Sequence, residues 1–444
     1  MKDGAEQPGP AEAGHAGKRR NPWWIPPFLG RVPEMPAATV RLLGVISLAL
    51  LFENFDQATL TAALKQIASS FAVAEADLGR TLGFVHLGAL PAFLLVPFAD
   101  RIGRRRLFLI SVIGISLASF ASAFASSLVQ FVAMQMISRV FMVTCSAMAF
   151  VIITEEFPAA HRGWGIGIAS AVGAFGVALA LLLFAAIDWL PFGWRSMYGL
   201  GILPLLLLPM FRREIRETRR FTRHRDDRAA EGQALKGFAG WWKPLGDLLR
   251  SYPERAAGIG LIGVFASAGH SVVYGFSSYF VQSVHGWAPG RYTAMVIVGG
   301  LVGIVGFPIA GRLADRSGRR RAGFLLLAAF PLFGLAFYQG PGWILPVAWV
   351  PIVFTLTGGL MILRALGGEL FPTSYRGTAA GWLQLAESAG RSGGLFIVGW
   401  GTARGIDITS MISGVMFGTL LAAVVLLALP ETGRRELEEI SAEI

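Results

Sequence analysis

The chain has 444 residues, of which 54% are hydrophobic and only 15% charged. A soluble protein of this length needs far more charge to cover its surface, so a soluble class is excluded. The net charge of +11 raises nucleic acid as a partner, and only the placement of that charge along the chain can decide.

Residues 1–38, rich in Pro, Gly and Ala, read as a mobile cytoplasmic tail, with Trp23 and Trp24 suited to the membrane interface. No short apolar stretch ending in a cleavage site marks a signal peptide. Beyond the tail, apolar stretches of about 20 residues, the length that crosses a bilayer core, recur throughout. They predict helices near 41–68, 78–98, 107–126, 128–153, 163–187 and 195–211. A second set is predicted near 256–282, 291–311, 321–338, 343–367, 377–401 and 408–429. The stretches 107–124 and 411–429 have no charged face, which a soluble helical bundle would show. The expected fold class is therefore all-α and integral to the membrane, with twelve transmembrane helices.

The expected domains are a six-helix bundle at 39–211, a basic cytoplasmic linker at 212–255, a second bundle at 256–430 and a cytoplasmic C-tail at 431–444. Around Trp241 to Arg250 the linker turns amphipathic, which predicts a helix lying on the membrane surface. Of the 39 Lys and Arg residues, Arg80, Arg195, Arg291 and Arg404 fall on one side of this topology. Lys65, Arg139, Arg364 and Arg391 fall within helices, and the remainder lie on the side of the two termini. The positive-inside rule makes that side cytoplasmic. The basic excess then serves insertion and contact with anionic lipid, and nucleic acid is excluded as a partner. The single cysteine, Cys145, allows no intrachain disulfide or thiolate metal site, and packing is its expected role.

Motifs recur at one offset. Glu155-Glu156-Phe157-Pro158 with Arg162-Gly163 returns as Glu369-Leu370-Phe371-Pro372 with Arg376-Gly377, 214 residues on. Glu217-Thr218 returns as Glu431-Thr432 at 214, and Asp100-Arg101-Ile102-Gly103-Arg104 as Asp315-Arg316-Ser317-Gly318-Arg319 at 215. Chance does not place three motif pairs in one register. Six helices per copy is an even number, so the copies enter the membrane in parallel, with a midplane cavity expected between them.

The two Asp-Arg-x-Gly-Arg loops resemble the loop signature of the major facilitator superfamily. The Glu-x-Phe-Pro-x-x-x-Arg-Gly pair and Pro430-Glu431-Thr432-Gly433-Arg434 resemble its sugar-porter and organic-ion branch, and the match spans about residues 40–440. The resemblance implies two bundles related by a parallel pseudo-two-fold and transport by alternating access. It also implies a cytoplasmic gate in which Asp100, Arg101, Arg104, Glu155 and Arg162 answer Asp315, Arg316, Arg319, Glu369 and Arg376. Carboxylates beside arginines and helix N-termini can form such a latch. The basic runs 104–106 and 319–321 are also explained by topology alone, whereas the acidic residues favour the latch.

Charges within membrane helices are costly and are functional candidates by default. Glu53 and Asp56 are three apart and share a helix face. A carboxyl in a low-dielectric interior favours its protonated form. Asp56 also lies where related proton-coupled carriers often have an acid, which makes it the first candidate for the proton site with Glu53 beside it; a helix-packing carboxylate is the plainer alternative. His270 stands 214 residues after Asp56, suited either to titrating or contacting substrate or to packing. Glu387 and Arg391 are four apart and can neutralise each other. Yet Arg391-Ser392-Gly393-Gly394 is similar to the Arg-x-Gly-Gly of organic-anion transporters, and Arg139 resembles an arginine of many proton-driven members. Together they suit a carboxylated substrate.

The glycines of helix 5 (Gly165, Gly167, Gly173 and Gly176) follow no strand and read as packing residues rather than a phosphate loop. Helix 7 lacks the Gln-rich pattern of sugar carriers, which argues against a hexose. No Gly-x-x-x-x-Gly-Lys-Ser/Thr loop exists for ATP, and the six histidines are scattered, so no metal, cofactor or membrane-enzyme site is expected. A transporter-like sensor would carry a long extra cytoplasmic domain, and the C-tail is short. The expectation is a monomeric secondary carrier that takes a small-molecule substrate and a proton, with an uncoupled facilitator or a sugar or cation porter as rivals.

Overall fold

The computed structural model describes residues 21–25, 32–95, 98–218 and 239–432. The expected mobility of residues 1–20 and the C-tail beyond 432 lie outside the described residues, as does the most basic part of the linker. Twelve helical segments follow the predicted order. The first six are α1 (Ala37–Ala62), α2 (Glu75–Leu95), α3 (Arg104–Ser122), α4 (Leu128–Glu156), α5 (Arg162–Ala185) and α6 (Trp194–Leu206 with Leu208–Glu214). The second six are α7 (Pro253–Ser283), α8 (Pro289–Ser317), α9 (Arg319–Gln339), α10 (Leu345–Glu369), α11 (Arg376–Thr402) and α12 (Ile408–Ala428). No strand occurs among the described residues.

Among those residues, nine helices are long and apolar enough to cross a membrane, and ten if the bent α6 counts as one. The 29-residue α8 and 27-residue α11 are also long enough, α11 being made more polar by Glu387 and Arg391. Leu117, Leu182, Leu301, Leu332 and Val424 point outward and are more than half exposed, as a lipid-facing surface requires. The protein is a multi-pass integral membrane protein.

Some boundaries differ from expectation. α1 ends at Ala62, and Lys65 stands beyond it in a separate short helix, Leu64–Ser70, rather than within the span. α2 breaks after Leu87 and resumes at Ala92, where Gly88 lies against the main chain of Met136. α6 bends by 40° at Leu207. Pro209, just beyond the bend, has no N–H to bond the preceding turn.

Packing repeats with the sequence. α1 packs on α5 as α7 packs on α11, α3 on α4 as α9 on α10, and α2 on α4 as α8 on α10. Between the halves, α2 packs on α11 and α5 on α8, which are counterparts under the same duplication. Even the loops agree: Gly103 before α3 and Gly318 before α9 hold φ of +101° and +89°. Only glycine adopts that backbone readily, so the repeated motif is a repeated turn.

One face of the molecule is sealed across the halves. Lys65 Nζ donates to the Gln282 carbonyl at 2.8 Å, Gln66 Nε2 to Gln282 Oε1 at 2.8 Å, and the Ser278 hydroxyl to the Ala62 carbonyl at 2.5 Å. Thr293 donates to the Leu181 carbonyl at 2.8 Å and Thr402 to that of Ala76 at 3.1 Å. At the centre of the α2–α11 contact, a Cβ on Gly79 would lie on the main chain of Gly399. Gly79→Val should therefore lower stability by about 1–3 kcal/mol, read as a lower thermal unfolding midpoint in detergent. Gly167→Val, with nothing within 4 Å of its Cβ position, is the control and should shift it by less than about 0.5 kcal/mol.

Candidate functional site

Opposite the seal, the halves part around a cavity of about 670 Å³. Its polar lining comes from both halves: Glu53 and Gln57 on α1, His86 on α2, Arg139 and Ser146 on α4, Arg364 on α10, and Gln384, Ser388 and Arg391 on α11. Phe93, Phe150, Gly377 and Trp382 carry the wall toward the motif loops. The linker helix, Ala239–Ser251, packs on α7 and α11, with Leu248 fully buried and Pro244 and Leu245 lining the cavity. The amphipathic segment is thus docked at the mouth of the cavity, which the expectation of a helix lying on the membrane surface did not include. Before it, Trp24 packs against Gly44 of α1, while Trp23 is exposed.

The α1 acids share a face but not an environment. Glu53 lines the cavity and accepts from the Ser146 hydroxyl at 2.5 Å. One turn on, Asp56 is buried behind the cavity wall and accepts from Ser119 of α3 and from Ser138 of α4 at 3.4 Å. Hydroxyls on two neighbouring helices thus compensate carboxyls that the membrane interior disfavours. Arg139 is 6% exposed, reaches the cavity, and its buried Nε has no acceptor.

In the second half, Arg391 Nη2 pairs with Glu387 Oε2 at 2.8 Å. Mutual neutralisation, foreseen from the spacing, does occur; even so, Arg391 lines the cavity. His270 does not line it. Its ring packs edge-on against Phe330 at 4.5 Å, with both nitrogens buried and without hydrogen-bond partners. Asp56, its counterpart in register, also stays outside the cavity lining: it bonds Ser119 of α3 as His270 packs on Phe330 of α9, the counterpart of α3.

At the open face the motif residues pair within each half. Arg104 lies 3.5 Å from Glu155, and its counterpart Arg319 lies 3.4 Å from Glu369. Arg319 also bonds Asp315 at 3.0 Å. Arg162 Nε donates to the Phe157 carbonyl at 3.2 Å, whereas the buried Nε of its counterpart Arg376 has no partner. Arg316 ends α8 in the last turn. The side chains of Asp100 and Arg101 lie outside what is described.

In the sequence Glu217 and Glu431 mark the register, and Glu431 also belongs to the motif that resembles the sugar-porter branch, but neither points to a capping role. Glu431 accepts the backbone N–H groups of Arg319 at 2.7 Å and Arg320 at 3.2 Å, and Glu217 accepts that of Arg105 at 3.2 Å. Each carboxylate satisfies orphan donors at a helix start and opposes the positive end of the helix dipole. It also approaches where a Cβ on Gly318 would stand, a second reason for glycine there. His86, Gln57 and Gln384 were likewise not singled out, although polar side chains inside apolar helices are a usable signal. Glu431→Ala should cost about 1–2 kcal/mol and speed amide exchange at residues 319 and 320. Unchanged exchange there would rule out the capping role.

Two pseudo-symmetric helical halves, joined at one face and parted around a charged, solute-sized cavity at the other, define a membrane carrier rather than an enzyme. The chain belongs to the major facilitator superfamily, whose model matches residues 46–395. It is 26% identical to a probable 4-methylmuconolactone transporter of Cupriavidus pinatubonensis, over 87% of this chain and 90% of that one. It is 25% identical to a gallate transporter of Pseudomonas putida, over 80% and 83%. The inward-open xylose transporter of E. coli shares the fold at a TM-score of 0.67 and 22% identity, covering 90% of this chain and 99% of that one.

Proposed function

We propose that this protein is a proton-coupled carrier of small carboxylated metabolites, working by alternating access through the central cavity. One observation carries the reading. Arg139, Arg364 and Arg391 all reach the cavity, and Glu53 is the one acid among its described lining residues. Guanidinium groups pair carboxylates with two parallel hydrogen bonds and stay charged when buried. The surplus of fixed positive charge therefore favours an anion. Gallate, named for one relative, is an aromatic carboxylate, and that supports the same substrate class.

Asp56 is the proposed proton site, with Glu53 between it and the cavity. The open face is the cytoplasmic one, because it gathers the basic loops and the positive-inside rule applies to them. The protein then sits in the inner membrane as a monomer with both termini cytoplasmic, in an inward-open state. In this state Arg104 and Arg319 hold Glu155 and Glu369 within their own halves; in the outward-open state the same groups are available to latch the halves together. The seal across α2–α11 and α5–α8 parts in exchange.

Counterflow and acid-driven accumulation of gallate, benzoate and nicotinate in proteoliposomes test the reading. Arg391→Gln and Arg139→Gln should each weaken anion binding at least about tenfold. Asp56→Asn should lower accumulation across a gradient of about one pH unit by up to about tenfold, the limit for one coupled proton, while sparing counterflow. Loss of counterflow in Asp56→Asn would remove Asp56 as the proton site. Wild-type counterflow without acid-driven accumulation would make the protein an uncoupled facilitator.

A further inference from the structure

Glu387 is the membrane acid that the mechanism above leaves unused, and it is satisfied differently from the others. Glu53 and Asp56 rest on serine hydroxyls of neighbouring helices. Glu387 is 1% exposed, its Oε2 rests on Arg391, and its buried Oε1 has no hydrogen-bond partner among the described residues. Arg391, by contrast, has a third of its side chain exposed and faces the cavity. The partner that holds Glu387 is thus the same group that an incoming carboxylate would seek.

The surroundings offer Glu387 no substitute. Gly263 and Gly390 draw α7 and α11 together behind it, closing that side with main chain and aliphatic groups. The titratable groups in electrostatic reach of Arg391 are His270 on α7, His86 on α2 and Arg139 on α4. Arg364 of α10 shares the cavity wall, and the linker helix adds Lys243, Asp247 and Arg250 near the mouth. α12 carries no charged residue within its span.

We propose that Arg391 is shared by competition: the substrate carboxylate displaces Glu387 from the guanidinium, and the displaced Glu387 takes up one proton. This rests on the anionic-substrate reading above. In the step, the Nη2–H···Oε2 bond is lost and a guanidinium–substrate bond forms. One O–H bond forms on Glu387, its proton supplied by hydronium or buffer acid of the bulk solution through the cavity. Charge closes. Glu387 carboxylate with Arg391 sums to zero, and protonated Glu387 with Arg391 and a monocarboxylate again sums to zero. Without the proton, the same spot holds a carboxylate deprived of its one partner among the described residues in an apolar setting, which is strongly disfavoured. Anion and proton binding are thereby linked in the half opposite Asp56. With both sites active, two protons accompany each monocarboxylate.

The test is calorimetric titration of the full-length protein with gallate, benzoate and nicotinate in buffers of differing ionisation enthalpy, which counts protons taken up per anion. The Asp56→Asn protein isolates the second site. It should take up about one proton per anion, with affinity falling about tenfold per pH unit over the range where uptake occurs. Adding Glu387→Gln should abolish uptake, flatten the pH dependence and tighten binding at pH 8 by at least about tenfold. Anion binding without proton uptake in Asp56→Asn, or an unchanged pH slope in Glu387→Gln, overturns the proposal while leaving the carrier reading intact. Should Glu387→Gln fail to fold, Glu387→Asp is one methylene shorter and must move the pH range of uptake; an unmoved range overturns the proposal. No heat with any of the three anions in the wild type removes the anionic-substrate reading and this inference together.

Discussion

An ionised group in the centre of a bilayer needs an opposite charge, a donor or acceptor, or water, and the remainder of this structure is arranged around that need. The first half meets it with hydroxyls: Ser119, Ser138 and Ser146 are set on α3 and α4 where the α1 carboxyls arrive. The second half meets it with an ion pair on one helix, Glu387 and Arg391. The remaining charges face the cavity. Arg139, Arg364 and the exposed part of Arg391 are tolerated because the halves part around them. The cavity is thus the reason these charges can exist within the membrane.

The duplication explains how such a cavity closes and opens. Counterpart contacts, α2 on α11 and α5 on α8, seal one face through neutral hydrogen bonds and a glycine-to-glycine approach. Neutral bonds of this kind contribute only about 0.5–1.5 kcal/mol each, and the Lys65 ammonium adds one stronger, charge-assisted bond to the Gln282 carbonyl. On the other face the pairs Arg104–Glu155 and Arg319–Glu369 lie within single halves, and Glu217 and Glu431 fasten the helix starts beside them. Each half is therefore tied internally at the loop face, as rigid-body rocking requires.

Much of this was legible in the sequence, for identifiable reasons. Twelve spans follow from hydropathy, because a bilayer imposes one length and one polarity on every helix. The helix pairing follows from the offset of 214, which also identified Glu155 with Glu369. The site was less legible. The three-residue spacing of Glu53 and Asp56 places them on one face, but only the positions of α3 and α4 show that Glu53 meets the cavity and Asp56 lies behind it. Register made His270 the counterpart of Asp56, and the packing agrees: Asp56 faces Ser119 of α3 as His270 faces Phe330 of α9, so neither lines the cavity, which spacing alone does not show. The capping glutamates escaped notice since Glu431 and the α9 N–H groups it accepts are more than a hundred residues apart in the chain. Spacing exposes local partners; it says nothing of distant ones.

The contrast between the halves carries the mechanism further than their likeness does. A carboxyl held by serine hydroxyls keeps its partners whatever enters the cavity, because neutral hydroxyls do not draw an anionic substrate strongly. Such a site can change protonation without releasing its hold. A carboxylate held by a cavity-facing arginine behaves otherwise, since any anion that arrives competes for the same guanidinium. At the loop face the two halves are built alike: the turn glycines Gly103 and Gly318, the arginines that follow them, and their glutamates. At the centre the halves diverge, Asp56 in one register position and His270 in the other, serines beneath one acid and an arginine beneath another. The repeat is kept at the loop face and broken at the cavity, the division that the proposed recognition of one asymmetric solute by two rocking halves requires.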